Sequence, residues 1–382
     1  MSRGRKTRLT AAALSIALAV LAVPGAAHAS ALDVVSCGDV LTSSVTLTAD
    51  LVCAGGDALT VGADGVTIDL DGHSITGDGT GTAVRVHGHT GLVLRDGRVT
   101  GFAEGLYALG TSGVSPDVTV TGVRFTDALV RGRNSTITVG GTLGNCRLAG
   151  ADLRGGPGKL VVDRCRVTGE VRLYESNYSA IRHSLLSHGL LGIGQSDRGE
   201  YLTNVFDDFP VLMGTPECRR NLFKGNVFKN AGTAFETSEA YSPANANVIE
   251  KNVFLANDIG LLADYTFRNT IVRDNVFTAN RTVGMYLENR RTVIPSPDPV
   301  SGNVFVGNGH APSGIVDDDG NPVQGGLHLI TRLDPAARIA LANNVGTGNA
   351  GRMIWAPPGM VIDGGGNQGP CQPTPNPDLT CW

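Results

Sequence analysis

Apolar residues along this chain alternate with polar ones over very short stretches. Val66-Thr67-Ile68 and Val118-Thr119-Val120 are typical, each closed within a few residues by Gly or Asp. A period of two bounded by turn residues predicts short strands with one buried face. Two further forms recur. One is Gly-apolar-x-apolar, as in Gly105-Leu106-Tyr107-Ala108, Gly260-Leu261-Leu262-Ala263, Gly284-Met285-Tyr286-Leu287 and Gly326-Leu327-His328-Leu329. The other is Asn-Val-Phe, which begins at Asn204, Asn226, Asn252, Asn275 and Asn303 and continues in reduced form at Asn344 and Asn367.

The steps between these asparagines are 22, 26, 23, 28, 41 and 23 residues. Such a period marks a solenoid, and the long step reads as one coil plus an inserted loop of about 18 residues. Backwards, the same frame runs through Ser184, Cys165, Cys146, Val123, Gly97 and His73. Three short strands per unit predict an all-β parallel β-helix of about 12–13 coils. Coils about 4.8 Å apart set equivalent residues directly over one another. Phe206, Phe228, Phe254, Phe277 and Phe305 would then stack inside. An Asn at each turn would bond the next Asn and the turn backbone. Leucine-rich repeats share the period, but their L-x-x-L-x-L signature is missing, as is any propeller blade motif.

The Asn-Val-Phe units, the Gly-led strands and the run Val66-Thr67-Ile68-Asp69-Leu70-Asp71-Gly72-His73 resemble right-handed parallel β-helix repeat proteins of the pectate-lyase-like superfamily. The resemblance covers about residues 37 to 368 and implies a single-stranded, right-handed coil. It selects no activity, because that superfamily includes lyases, hydrolases, epimerases, adhesins and non-catalytic proteins. The expected organisation is a signal peptide at 1–29, an N-terminal cap and first turn at 30–57, and the β-helix at 58–368. A Pro-rich C-terminal tail, closed by a disulfide, follows at 369–382.

Arg3, Arg5, Lys6 and Arg8 precede an apolar run from Ala11 to Val23, then Pro24-Gly25 and the small-x-small Ala27-His28-Ala29. This predicts export and cleavage. The run is shorter than the roughly 20 residues of a bilayer span, so the expected product is secreted, extracellular and without a membrane span. We expect a monomer. Cleavage takes four of the 31 basic residues and none of the 35 acidic ones, leaving 27 against 35. That balance speaks against nucleic acid as a partner, since such binding rests on Lys and Arg against phosphate.

In an oxidising compartment, Cys37 with Cys53 and Cys371 with Cys381 are expected to close the two ends. Cys146 and Cys165 share a frame on neighbouring coils, within the Cα range of a disulfide, although two stacked thiols fit equally. Cys218 is left as a buried thiol. No C-x-x-C pair marks a metal site.

With apolar residues inward, the Gly-led strands turn Arg85, Tyr107, Arg172, Glu236, Leu262, Tyr286 and His328 outward. His87, Tyr174, Asp264 and Glu288 lie one outward step further along. Charged and aromatic groups gather from about residue 172 to 332, with Tyr265, Arg290 and Arg291 in adjoining turns. Aromatic faces suit sugar rings, while acids and arginines suit hydroxyls and carboxylates. The expected partner is therefore a polysaccharide or cell-surface glycan, held by Arg172, Tyr174, Tyr265, Tyr286 and His328. The plain alternative is a solvated sheet face.

Asp264 and Glu288 hold equivalent places on adjacent coils, an arrangement that raises one pKa or binds a cation such as Ca²⁺. With Glu236 nearby, carboxylate separations of about 5 Å or about 6.5–9.5 Å, for retaining or inverting hydrolysis, are both within reach. The resemblance to pectate lyases implies another use of the same groups, with Ca²⁺ on a uronate carboxylate and an Arg such as Arg290 as base. The expected enzyme is a lyase or hydrolase of an extracellular, uronate-containing polymer, with Glu236, Asp264, Glu288 and Arg290 as catalytic groups. A non-catalytic glycan-binding β-helix is the alternative. Asp317-Asp318-Asp319-Gly320-Asn321 resembles part of a calcium loop but lacks the later Glu, and reads as an acidic surface turn.

Overall fold

The computed structural model describes residues 34–141, 146–154, 158–214, 218–238, 247–263, 270–289, 300–331, 338–350, 352–372 and 375–382. Their 38 strands join one sheet, paired parallel from coil to coil, in a β-helix of about 12 turns. The expected all-β architecture is therefore the observed one. The region 1–29, assigned to a signal peptide, lies outside the described residues.

One pair of coils shows why the sequence winds this way. Strands Asn247–Glu250, Val253–Leu255 and Ile259–Ala263 lie under Thr270–Arg273, Val276–Thr278 and Val283–Asn289. The register sets Ile249 on Val272, Phe254 on Phe277 and Leu261 on Met285. All six are fully buried. Alternation thus supplies each strand with inward residues that meet their own kind above and below, which keeps every coil in register with the next.

The corner before the ladder Asn is left-handed in every later coil. Thr203 (φ 56°), Lys251 (55°), Asp274 (56°) and Asn343 (55°) occupy it, alternating with Gly225, Gly302 and Gly366. A side chain in this region costs roughly 1–2 kcal/mol. The Asn that follows offsets the cost. Asn252 Oδ1 accepts from the backbone N of Asn226 at 2.9 Å and from its Nδ2 at 2.9 Å, while Asn252 Nδ2 donates to Phe223 O at 3.0 Å. The same set repeats from Asn204 to Asn344. The predicted Phe ladder is also present, with ring centroids 4.7, 4.8, 4.6 and 5.1 Å apart from Phe206 to Phe305.

A second ladder, Asn257, Asn280, Asn308 and Asn349, makes the same bonds at the next corner. It escaped the sequence reading, although the spacing Asn-Val-Phe-x-x-Asn announces it at 252–257, 275–280 and 303–308.

In the earlier coils the frame is kept while the chemistry changes. Ser184 N donates to Asn204 Oδ1 at 2.9 Å, and Cys165 N to Ser184 Oγ at 3.2 Å, so serine ends the asparagine ladder. Below it Cys146 and Cys165 are joined in a disulfide with a Cα separation of 4.7 Å, which decides between the two readings left open. Cys37–Cys53 and Cys371–Cys381 are disulfides as expected. Cys218 is buried outside these three, its Sγ 3.5 Å from Ile193 O. The tail begins by extending the stack, since Cys371–Gln372 pairs with Ile354–Trp355.

Candidate functional site

The register defines one outward column along the strands of the Gly-led form. It runs Arg85, Tyr107, Arg131, Asp152, Arg172, Gly192, Leu212, Glu236, Leu262, Tyr286, His328, Trp355. All seven positions assigned to it from the sequence are there. Arg131, Leu212 and Trp355 were missed because their strands lack the leading glycine, whereas Asp152, in Gly150-Ala151-Asp152-Leu153, has it and was overlooked.

The column has two halves of opposite character. Over the earlier coils it is open. Arg154, Glu170, Arg172, Tyr174, Leu190 and Leu212 line a groove of about 490 Å³, continued by a hollow of about 270 Å³ between Tyr107, Arg131, Arg133 and Arg154. Tyr174 is 41% and Leu212 37% exposed, an unusual state for large apolar side chains so close together. The arginines are oriented by acids on the same face. Arg172 Nε lies 2.5 Å from Glu170, Arg154 Nε 2.9 Å from Asp152 and Arg131 2.6 Å from Glu104. The hydrogen bonds that they donate to Glu170 and Asp152 hold the Arg172 and Arg154 guanidiniums above their usual pKa. Arg85, paired with Asp57 at 2.5 Å, lies over the Tyr107 ring at 5.4 Å.

Over the later coils the column is covered, which corrects the expectation of an exposed site there. Tyr286 is 7%, Glu288 3% and His328 0% exposed. The cover is the inserted loop. Val323 packs on Ile259, Val283 and Tyr286 in a small core outside the solenoid, joined by Leu262 and Ile315. The Asp317 turn is likewise not a surface feature, because its side chain points inward. Asp317 Oδ1 accepts from the backbone N of Asp319 and Asn321 at 3.0 and 2.8 Å, and Oδ2 lies 2.9 Å from His328 Nε2. His328 sits between the edge of Tyr286 and the face of Trp355. Burial pushes its pKa down, partly opposed by Asp317 and Glu288 and reinforced by Arg352.

The expected catalytic groups are not gathered among the described residues. Tyr286 donates to Glu288 at 2.8 Å beneath the loop. Glu236, half-buried, stands two coils earlier in the open column, directly after Leu212. Asp264, Tyr265 and Arg290 lie outside the described residues, as does Arg291. Among the described residues no three His, Cys, Asp or Glu side chains are grouped to hold a metal ion. His87 is exposed, and His89 is 3.2 Å from Asp64. Among the described residues no helix is long and apolar enough to cross a membrane.

Residues 203–321, less than a third of the chain, match the family model described as periplasmic copper-binding protein (NosD). That segment is where the Asn-Val-Phe units stack, so the match follows the repeat that builds the later coils. No curated protein matches the chain in sequence. Among solved structures, the chain is similar to the Dettilon tailspike protein gp208 at 14% identity and a TM-score of 0.35, over 90% of this chain and 61% of that one. It is similar to the A-module of the mannuronan C-5 epimerase AlgE4 of Azotobacter vinelandii at 14% identity and 0.35, over 89% and 91%. The catalytic domain of a GH87 α-1,3-glucanase gives 12% and 0.34, over 87% and 63%. These are distant likenesses of architecture, and the site has to be read from its own chemistry.

Proposed function

We propose that this protein is a secreted carbohydrate-binding β-helix that holds a polysaccharide along the open groove of its earlier coils. One observation carries the reading: a long groove, about 490 Å³ in its main part, joins the exposed faces of Tyr174, Leu190 and Leu212 to the preset guanidinium of Arg172. Apolar surface beside oriented donors is what a sugar chain needs, since it offers ring faces and hydroxyls together. Three disulfides fit a protein made for an oxidising compartment. Of the sequence-predicted binding residues, Arg172 and Tyr174 belong to this groove, whereas Tyr286 and His328 do not.

Binding is measured by affinity electrophoresis against neutral and uronate polymers. The wild type is expected to be retarded by at least one of them. Arg172→Ala combined with Tyr174→Ala should weaken that retention about tenfold, or roughly 1.4 kcal/mol. Migration of the wild type unchanged through every polymer would sink the proposal.

A catalytic reading is favoured by one specific feature, the position of Glu236 at the end of the groove beside Leu212. Incubating the same polymers with and without Ca²⁺ tests it. Products formed by the wild type and lost in Glu236→Gln would make the protein a lyase or hydrolase. Products formed equally by Glu236→Gln would remove that residue from the chemistry.

A further inference from the structure

The outward position directly after the frame residue carries an unusual run. Arg98 pairs with Arg124, Arg124 with Arg147 and Arg147 with Arg166. Four consecutive coils therefore present one arginine each, about 4.8 Å apart along the axis. All four are exposed. The row begins above Ser74 and ends under Leu185, and from there the same column holds Val205, Val227, Val253, Val276, Val304 and Val345.

Elsewhere on this solenoid, stacked charges alternate in sign. Lys224, Glu250 and Arg273 succeed one another on three coils, with contacts of 2.8 and 2.6 Å. Asp207 lies under Lys229 at 2.9 Å, Asp69 under Arg95 at 2.6 Å, and Arg131, Asp152 and Arg172 follow in order. Arg133 on Arg154 is a shorter like-signed stack. Like charges directly opposite one another destabilise a sheet. A chain with fewer basic than acidic residues, 31 against 35, nevertheless sets four arginines in single file.

We propose that this row is a second binding surface, a cationic rail for an anionic polysaccharide whose carboxylate-bearing sugars run along the solenoid axis. The guanidinium fork matches a carboxylate with two parallel hydrogen bonds. An extended pyranose chain advances by roughly one ring per coil spacing of about 4.8 Å, and in a two-fold chain every second sugar turns its carboxylate to the same side, so alternate sugars reach the row. Duplex DNA does not keep this step, because its phosphates rise about 3.4 Å per strand and wind away from a straight row. Thr100 and Thr126, stacked on one another two residues further along the strands, set hydroxyls beside the rail. The rail is not the groove. Residues 127–128 turn the chain between strand Asp117–Thr126, which carries Arg124, and strand Leu129–Arg133, which carries Arg131. The inference does not depend on the groove reading.

The test uses the full chain with polygalacturonate and a neutral glucan, titrated at several salt concentrations. The variant R98Q/R124Q/R147Q/R166Q is expected to lose at least tenfold in affinity for polygalacturonate and most of its salt dependence. It should keep its affinity for any neutral polymer and fold as the wild type does. The corresponding four-fold Arg→Lys variant should keep the salt dependence. Tyr174→Ala, which removes no charge, should weaken groove binding while the salt slope persists, which separates failure of the rail from failure of the groove. Wild-type affinity and slope in the four-fold Gln variant would overturn the proposal, as would tighter binding of the wild type to duplex DNA than to polygalacturonate. If that variant does not fold, R124Q and R147Q singly must each lower the slope, and unchanged slopes in both refute the rail.

Discussion

The coils before and after residue 203 share one backbone frame and solve its problems in different ways. In the later coils the frame corner is filled by an asparagine bonded to its neighbours, and a stack of five phenylalanines fills the core beside it. From Ile259 onward their outer face is closed by the inserted loop. In the earlier coils the same corner holds His73, Gly97, Val123, a Cys146–Cys165 disulfide and Ser184, and the outer face is open and rich in arginine. The difference teaches that a solenoid needs only its register to be specified. Once inward residues match from coil to coil, the ladder can be amide, disulfide or plain aliphatic, and the outer columns are released for other work.

Four perturbations probe this contrast. The largest effect is expected from Asn252→Ala, which takes the acceptor from the Asn226 backbone N–H, one of the two acceptors from the Asn226 side-chain amide (the other, Tyr201 O, remains) and the side-chain donor from Phe223 O. Three buried groups so deprived should cost about 3 kcal/mol or more, read in denaturant unfolding. Ser184→Ala, at the equivalent corner, should cost about 1–2 kcal/mol. Equal losses would erase the distinction between the halves.

Next in size is the disulfide. Cys146→Ser with Cys165→Ser should remove about 2–4 kcal/mol, and hydrogen exchange should place the lost protection in the earlier coils. Protection lost evenly along the chain would mean that the halves do not differ in their means of support. Asp317→Ala, smaller again at about 2 kcal/mol, should loosen the loop, since it removes the acceptor of two backbone N–H groups and of the His328 contact. Trp355, half-buried on His328, should then be quenched more strongly by acrylamide, and unchanged quenching would show that apolar packing alone holds the cover.

The smallest effect is a pH dependence confined to the later half. Burial lowers the pKa of His328 in the folded protein below the ordinary value near 6.5. Below that value the unfolded chain takes up a proton that the folded one resists, so stability is complete above about pH 6.5 and falls as the pH drops towards the folded pKa. Exchange protection over 309–331 should therefore weaken between pH 7.5 and 5, and His328→Phe should flatten the change. A slope that survives the substitution would assign it to other groups.

Much of the fold was legible because its determinants are periodic. The Asn and Phe ladders, the end disulfides and the outward column from Arg85 to His328 were all read from spacing. The second Asn ladder and the row Arg98, Arg124, Arg147, Arg166 were equally visible in principle, five residues and one residue from the frame; the Asn-Val-Phe unit marks the ladder, whereas the frame residue before each arginine changes between Gly97, Val123 and the two cysteines. The candidate site was read less well. Tyr286, Glu288 and His328 do point outward from the solenoid, yet nothing in their spacing tells that the loop will fold back over them. The groove instead lies around Arg131, Asp152 and Leu212, which were overlooked.

The sequence by itself determined the architecture, because a repeat makes every coil an independent statement of the same inward pattern. Only the tertiary structure decided which outward residues stay accessible. It showed that Val323 and Asp317 seal one half of the column, and that Cys146 and Cys165 are close enough to join. It also showed that Thr203 and Lys251 accept left-handed corners that their side chains disfavour. These outcomes depend on contacts between segments that share no period, where the energy of a closed loop or a strained corner is settled by what happens to lie across from it.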